Sequence, residues 1–87
     1  MPRYLSLHTL ACMTRQGAEA LVATLGDGGD GIALRRTAWN FLDGKMIAEI
    51  EAPDRQAAER WLEEKGMRPQ WLMRIEYESD GASLRPV

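Results

Sequence analysis

The chain has 87 residues, of which 45% are apolar and 28% charged, with a net charge of -2. That balance belongs to a globular chain rather than a disordered one, the length allows one domain with a thin core, and the slight acidity offers no global positive field for nucleic acid. No apolar run approaches the ~18 residues needed to span a bilayer, and the N-terminus lacks the apolar stretch of a signal peptide.

The first predicted strand runs from Arg3 to Leu10. Leu5 and Leu7 alternate with Tyr4, Ser6 and His8, the period of a strand with two unlike faces. Thr14 then caps a helix whose apolar stripe is Ala18, Leu21, Val22 and Leu25. The segment GDGGDG, Gly26 to Gly31, ends that helix. It fits neither a dinucleotide fingerprint opening a helix nor a complete EF-hand loop, so it is expected to be a flexible connection. Ile32 to Leu42 is a second strand, long enough to bend or bulge. Asp43 and Gly44 signal a hairpin. Lys45 to Glu51 is the third strand, with Met46, Ala48 and Ile50 on one face and Ile47, Glu49 and Glu51 on the other.

Pro53 and Asp54 stop that strand, and Asp54 is a good N-cap. Ala57, Ala58, Trp61 and Leu62 form the buried stripe of a second helix, on which Arg60 and Glu64 are spaced to pair. Gly66 suits the position just past its C-terminus. Gln70 to Glu78 is the last strand. Residues 1–78 are read as one domain and residues 79–87 as a polar, loosely held tail.

Strand, helix, strand, strand, helix, strand is the split βαβ, ferredoxin-like order of an α+β protein. It predicts a four-stranded antiparallel sheet in spatial order 4-1-3-2 with two helices on one face. Leu5, Leu7, Met46, Ala48, Ile50, Trp71, Met73 and Ile75 are expected to meet the helices. Tyr4, Ser6, His8, Ile47, Glu49, Glu51, Leu72, Arg74 and Glu76 are expected on the open face. A half-apolar open face calls for a partner.

The segments YLSLHTL and AWNFLDGKMIAEIEAPD, with a helix ending in EKG, resemble the small dimeric α+β-barrel proteins. The likeness is nearest to an uncharacterised family with a nickel-binding member and spans roughly residues 3–77. The resemblance implies a dimeric barrel of two such sheets packed face to face. His8 matches the family's first-strand histidine. Where metal-competent members carry a third-strand cysteine and second-helix histidines, this chain has Ala48, Trp61 and Lys65, none of which offers the thiolate or imidazole that nickel or zinc favours. No metal site and no cofactor is therefore expected.

His8 and Cys12 are the only histidine and the only cysteine. Four residues apart on a strand, they are separated by about 13 Å at ~3.3 Å per residue. Joint ligation needs both donors within ~2.3 Å of one ion, and a nucleophile pair needs a hydrogen bond of about 3 Å. A shared site is thus disfavoured. Cys12 alone cannot form an internal disulfide, which suits a cytoplasmic protein.

His8 is the candidate acid or base, oriented by nearby carboxylate and guanidinium groups. Tyr4, Ser6, Trp39, Phe41, Glu49 and Arg74 are candidate ligand-binding residues. Arg35 and Arg36 are adjacent strand residues, so at most one is expected at any site. The function expected from these residues is binding of a small ligand or partner at the open face of a homodimer formed through that face. The alternative is a cofactor-independent isomerase or monooxygenase using His8. RNA binding on the shared topology is disfavoured, because the third strand, KMIAEIEA, supplies no base-stacking aromatic and two acids.

Overall fold

The computed structural model covers residues 1–87. Its elements are β1 (Arg3–Thr9), α1 (Arg15–Leu25), β2 (Gly28–Gly29), β3 (Ile32–Asn40), β4 (Lys45–Glu51), α2 (Arg55–Glu64), β5 (Trp71–Ile75), β6 (Tyr77–Ser79) and β7 (Leu84–Pro86). β2, β3, β4, β1 and β5 form one antiparallel sheet in that order, and β6 and β7 form a second. The expected four-stranded ferredoxin-like sheet, paired into a dimeric barrel, is therefore corrected: this is a small α+β protein with a five-stranded sheet, a separate two-stranded sheet and two helices.

The fifth strand comes from the glycine-rich segment, which is not a loose connection. Asp30 and Gly31 both adopt positive φ, 57° and 82°, the requirement of a two-residue type I′ hairpin turn. That turn folds Gly28 and Gly29 back onto Ala33 and Ile32. Gly28 has φ 112°, and a side chain there would collide with the Ile32 carbonyl. Only glycine lets β2 approach β3 so closely.

The second sheet comes from the tail. Tyr77, Glu78 and Ser79 pair with Pro86, Arg85 and Leu84, so a hairpin bridges the boundary drawn at residue 78.

Both helix starts lie where the capping residues put them. Thr14 accepts a hydrogen bond from the Gly17 amide at 3.1 Å, and Asp54 accepts one from the Ala57 amide at 2.7 Å. Along α2 the ion pair is Arg55 with Glu59, not Arg60 with Glu64. β3 ends at Asn40 rather than Leu42, and residues 41–44 make a four-residue loop in which the Asn40 side chain accepts from the Asp43 amide at 2.8 Å.

The principal correction concerns which side of the sheet the helices cover. Tyr4, Ser6 and His8 stand opposite Ile50, Ala48 and Met46 in the β1–β4 ladder, and all six are buried. Leu72 of β5, paired with Ser6, is buried with them. These side chains share one core with Leu25 of α1 and with Ala58, Trp61 and Leu62 of α2. The expectation for β4 holds. The expectations for β1 and β5 are reversed: Leu5, Leu7, Trp71, Met73 and Ile75 face away from the helices. A shift of one residue turns every side chain of a strand to the other face, and β1 and β5 are mutually registered, Leu5 on Met73 and Leu7 on Trp71, so they reverse together. Small Ser6 and Ala48 in the sheet leave volume that the larger helix residues occupy, which is how close packing is reached here.

Candidate functional site

The expected site residues do not form one site: Ser6 and His8 meet on the covered face of the sheet, and Glu49 stands on the open one. On the covered face, Ser6 and His8 are 0% and 4% exposed. Ser6 Oγ lies 2.7 Å from His8 Nε2 and 3.4 Å from the Ala48 carbonyl, to which it donates. The imidazole Nδ1 is buried and makes no hydrogen bond. Burial lowers the His8 pKa from its ordinary value, while the Arg68 backbone acts in the opposite sense without coming into hydrogen-bonding geometry with Nδ1. The ring is therefore held towards its neutral form.

His8 forms one wall of a cavity of about 130 Å³. Leu10, Met13, Leu21, Met46 and Met67 provide its apolar surface, and exposed Ala11, Gly66 and Arg68 stand at its rim. Cys12 is not in that wall: it is exposed, with φ 51°. His8 and Cys12 thus share a segment and not a site. No group of three or more potential metal ligands occurs in the molecule.

Chemically, the Ser6–His8 pair does not provide an activated nucleophile. Ser6 Oγ points into the core, where no substrate reaches it, and no carboxylate orients the imidazole as a triad requires. What remains is a neutral imidazole at the wall of a small apolar cavity, its Nδ1 enclosed and unpaired.

The other expected residues are dispersed. Tyr4 is buried in the core beside Ile50. Arg74 lies opposite Tyr4 on the edge strand and is exposed. Trp39 and Phe41 stack with ring centroids 6.1 Å apart and line a groove of about 340 Å³ against Ala18 and Val22 of α1. They lie on the helix side of the sheet, not between two facing sheets as expected. Trp39 Nε1 donates to Thr37 Oγ1 at 2.9 Å, so its one polar atom is already satisfied.

Glu49 alone of the expected residues lies on the open face, where it is the centre of a charge network. Arg3 and Arg35 reach its carboxylate at 3.2 and 2.9 Å, and Arg36 at 3.6 Å. Arg35 also reaches Glu51, and Arg3 reaches Glu78. Arg35 and Arg36 both serve one site because the β3–β4 register shifts between Leu34 and Arg36. A bulge sets two residues against one, which sequence alternation did not anticipate. The partner of Glu49 is thus this arginine cluster, not Arg74. The contact with Arg3 holds the Glu78 carboxyl below its ordinary range and raises the Arg3 pKa.

Beside this network the open face is apolar: Leu5 and Leu7 of β1, Ala38 of β3, Ile47 of β4, and Trp71 and Met73 of β5. Trp71 and Met73 are 42% and 47% exposed. Neither Leu5 and Leu7 nor Trp71 and Met73 was expected here, although Ile47 was. No family model, curated protein or solved structure matches the chain.

Proposed function

We propose that the protein is a small self-associating binding module whose open sheet face docks against the same face of a second copy. The observation that carries this reading is the orientation of β1 and β5. Their most apolar side chains, Leu5, Leu7, Trp71 and Met73, are turned away from the chain's own core and meet Ile47 and Ala38 in one strip. An apolar strip of that kind on a small domain marks an interaction surface.

Two features favour a second copy as the occupant. The charges bordering the strip are already matched within the chain, three arginines against Glu49, Glu51 and Glu78, so an identical face brings no uncompensated like charge. The size also fits. A seven-residue strand is about 23 Å long and four strands about 19 Å wide, and with side-chain relief two such faces bury on the order of 1,000 Å², the lower bound for a specific contact. A two-fold contact is the commonest way for identical chains to meet.

No helix is long and apolar enough to cross a membrane. A cytoplasmic location is part of the same proposal and rests on the exposed free thiol of Cys12, which suits a reducing compartment.

The test is native mass spectrometry with light scattering across concentration. A dimer is expected for the wild-type chain and a monomer for Leu7→Glu, with the far-ultraviolet spectrum unchanged. A wild-type chain that stays monomeric at high micromolar concentration overturns the proposal.

A further inference from the structure

We infer that the β6–β7 hairpin is the second half of the self-association surface: its outward side seats on the Leu7–Trp71 end of the open face of a second copy, which returns the same contact. This rests on the face-to-face reading above and adds to it the relative orientation of the two chains.

Three observations support it. First, the hairpin has two unlike sides. Residues paired across a ladder share a side, so Tyr77 with Pro86 and Ser79 with Leu84 form one, and Glu78 with Arg85 the other. Glu78 turns its carboxylate to Arg3 on the open face of the sheet. That bond first, and Arg35 of β3 through space, hold its carboxyl below the ordinary range. The charged side thus faces the chain, and the Tyr77–Leu84 side faces away from it. Second, nothing in the chain covers that outward side. All the residues of β6 and β7 are exposed, Tyr77 at 56% and Leu84 at 70%, and a two-stranded hairpin without a packed face is marginal in water. Third, the open face is graded from end to end. Ala38, Ile47, Leu7 and Trp71 make one wholly apolar row across four strands. The row at the other end holds Glu51, Arg3 and Ile75, and the hairpin stands there, about 13 Å from Trp71 along β5 at ~3.3 Å per residue. A two-fold axis across the strands, lying between the two sheets, sets the hairpin end of each copy over the apolar row of the other. Matching like ends instead brings hairpin against hairpin and holds the apolar rows apart. The face alone reaches only the lower bound for a specific contact, on the order of 1,000 Å², and the outward sides of two hairpins enlarge it with uncharged area.

The experiment mixes isotope-labelled and unlabelled wild-type chains and reads contacts between chains by isotope-filtered NMR, with dimer dissociation constants from analytical ultracentrifugation. A contact between the Leu84 methyls of one chain and the Trp71 indole of the other is expected. Leu84→Asp is expected to weaken the dimer at least about tenfold with the far-ultraviolet spectrum unchanged, since Leu84 is exposed in the single chain. A wild-type dimer without the Leu84–Trp71 contact overturns the hairpin contact and leaves the face-to-face reading standing. A Leu84→Asp dimer as tight as the wild type does the same. A wild-type chain that stays monomeric overturns both. The filtered contact is read on the wild-type chain alone and therefore stands even where Leu84→Asp does not fold.

Discussion

The two faces of the sheet divide the polar and apolar residues of β1 and β5 in the opposite way from what those strands suggest by themselves, while β4 divides as its own pattern suggests. Under the helices lie Ser6 and His8 of β1, enclosed with Ala48 and Met46. On the open face stand Leu5, Leu7, Trp71 and Met73. A strand in a small domain therefore need not direct its most apolar side inward. Where the helices supply bulk, as Trp61, Leu62 and Leu25 do here, the sheet beneath them needs small residues. The large apolar side chains left over then gather on the face that helices do not cover.

The contrast is most sharply broken by removing bulk from the covered side. Trp61→Ala is expected to destabilise the fold by about 3–5 kcal/mol, measured by urea unfolding, because the side chain is 2% exposed within the one core. A loss under 1 kcal/mol would mean that this core is not what holds the helices to the sheet.

A smaller effect comes from pH. The His8 pKa is lowered in the folded chain and near 6.5 when unfolded. Between those two values the unfolded chain binds a proton that the folded chain does not. Stability is therefore fully present above 6.5, falls as pH drops through 6.5, and levels off below the folded value. The Glu78 carboxyl, held below its ordinary 4.5, works in the same sense only at more acidic pH. Urea midpoints at pH 7.5 and 5.5 isolate the His8 contribution, and His8→Phe is expected to flatten the difference between them.

The smallest effect is expected on the open face. Met73→Ser should change the unfolding free energy by no more than about 0.5 kcal/mol in dilute solution. At high concentration the wild-type chain should gain melting temperature relative to this variant, since association stabilises by mass action. Equal concentration dependence in the two chains would separate Met73 from the interface.

The helix starts were legible in the sequence because capping is local chemistry: Thr14 and Asp54 each bond the amide three residues on. The outline of β3 and β4 was legible too, apart from the end of β3 at Asn40 and the place of its bulge, of which the strand's length gave only the room to bend or bulge. β2 was missed although its signal was present. Asp30–Gly31 is the same dipeptide as Asp43–Gly44, and its neighbours Gly28 and Gly29 carry no side chain from which a strand pattern is read. Of the site residues, His8 was singled out by its rarity, and the structure sets it on a cavity wall. Its company was misjudged. Ser6, Glu49 and Arg74 were expected near it; Ser6 is there, but Glu49 lies on the other face and Met46 and Met67 stand beside the ring, because the helices cover the His8 face of β1.

By itself the sequence determined where helices begin, where the chain turns, and which residues alternate within each strand. These depend on backbone conformation and on hydrogen bonds a few residues long. The tertiary structure alone decided which of the two alternating sets in β1 and β5 is buried. That choice depends on the volumes of side chains brought from α1 and α2, and no segment of β1 or β5 carries information about them.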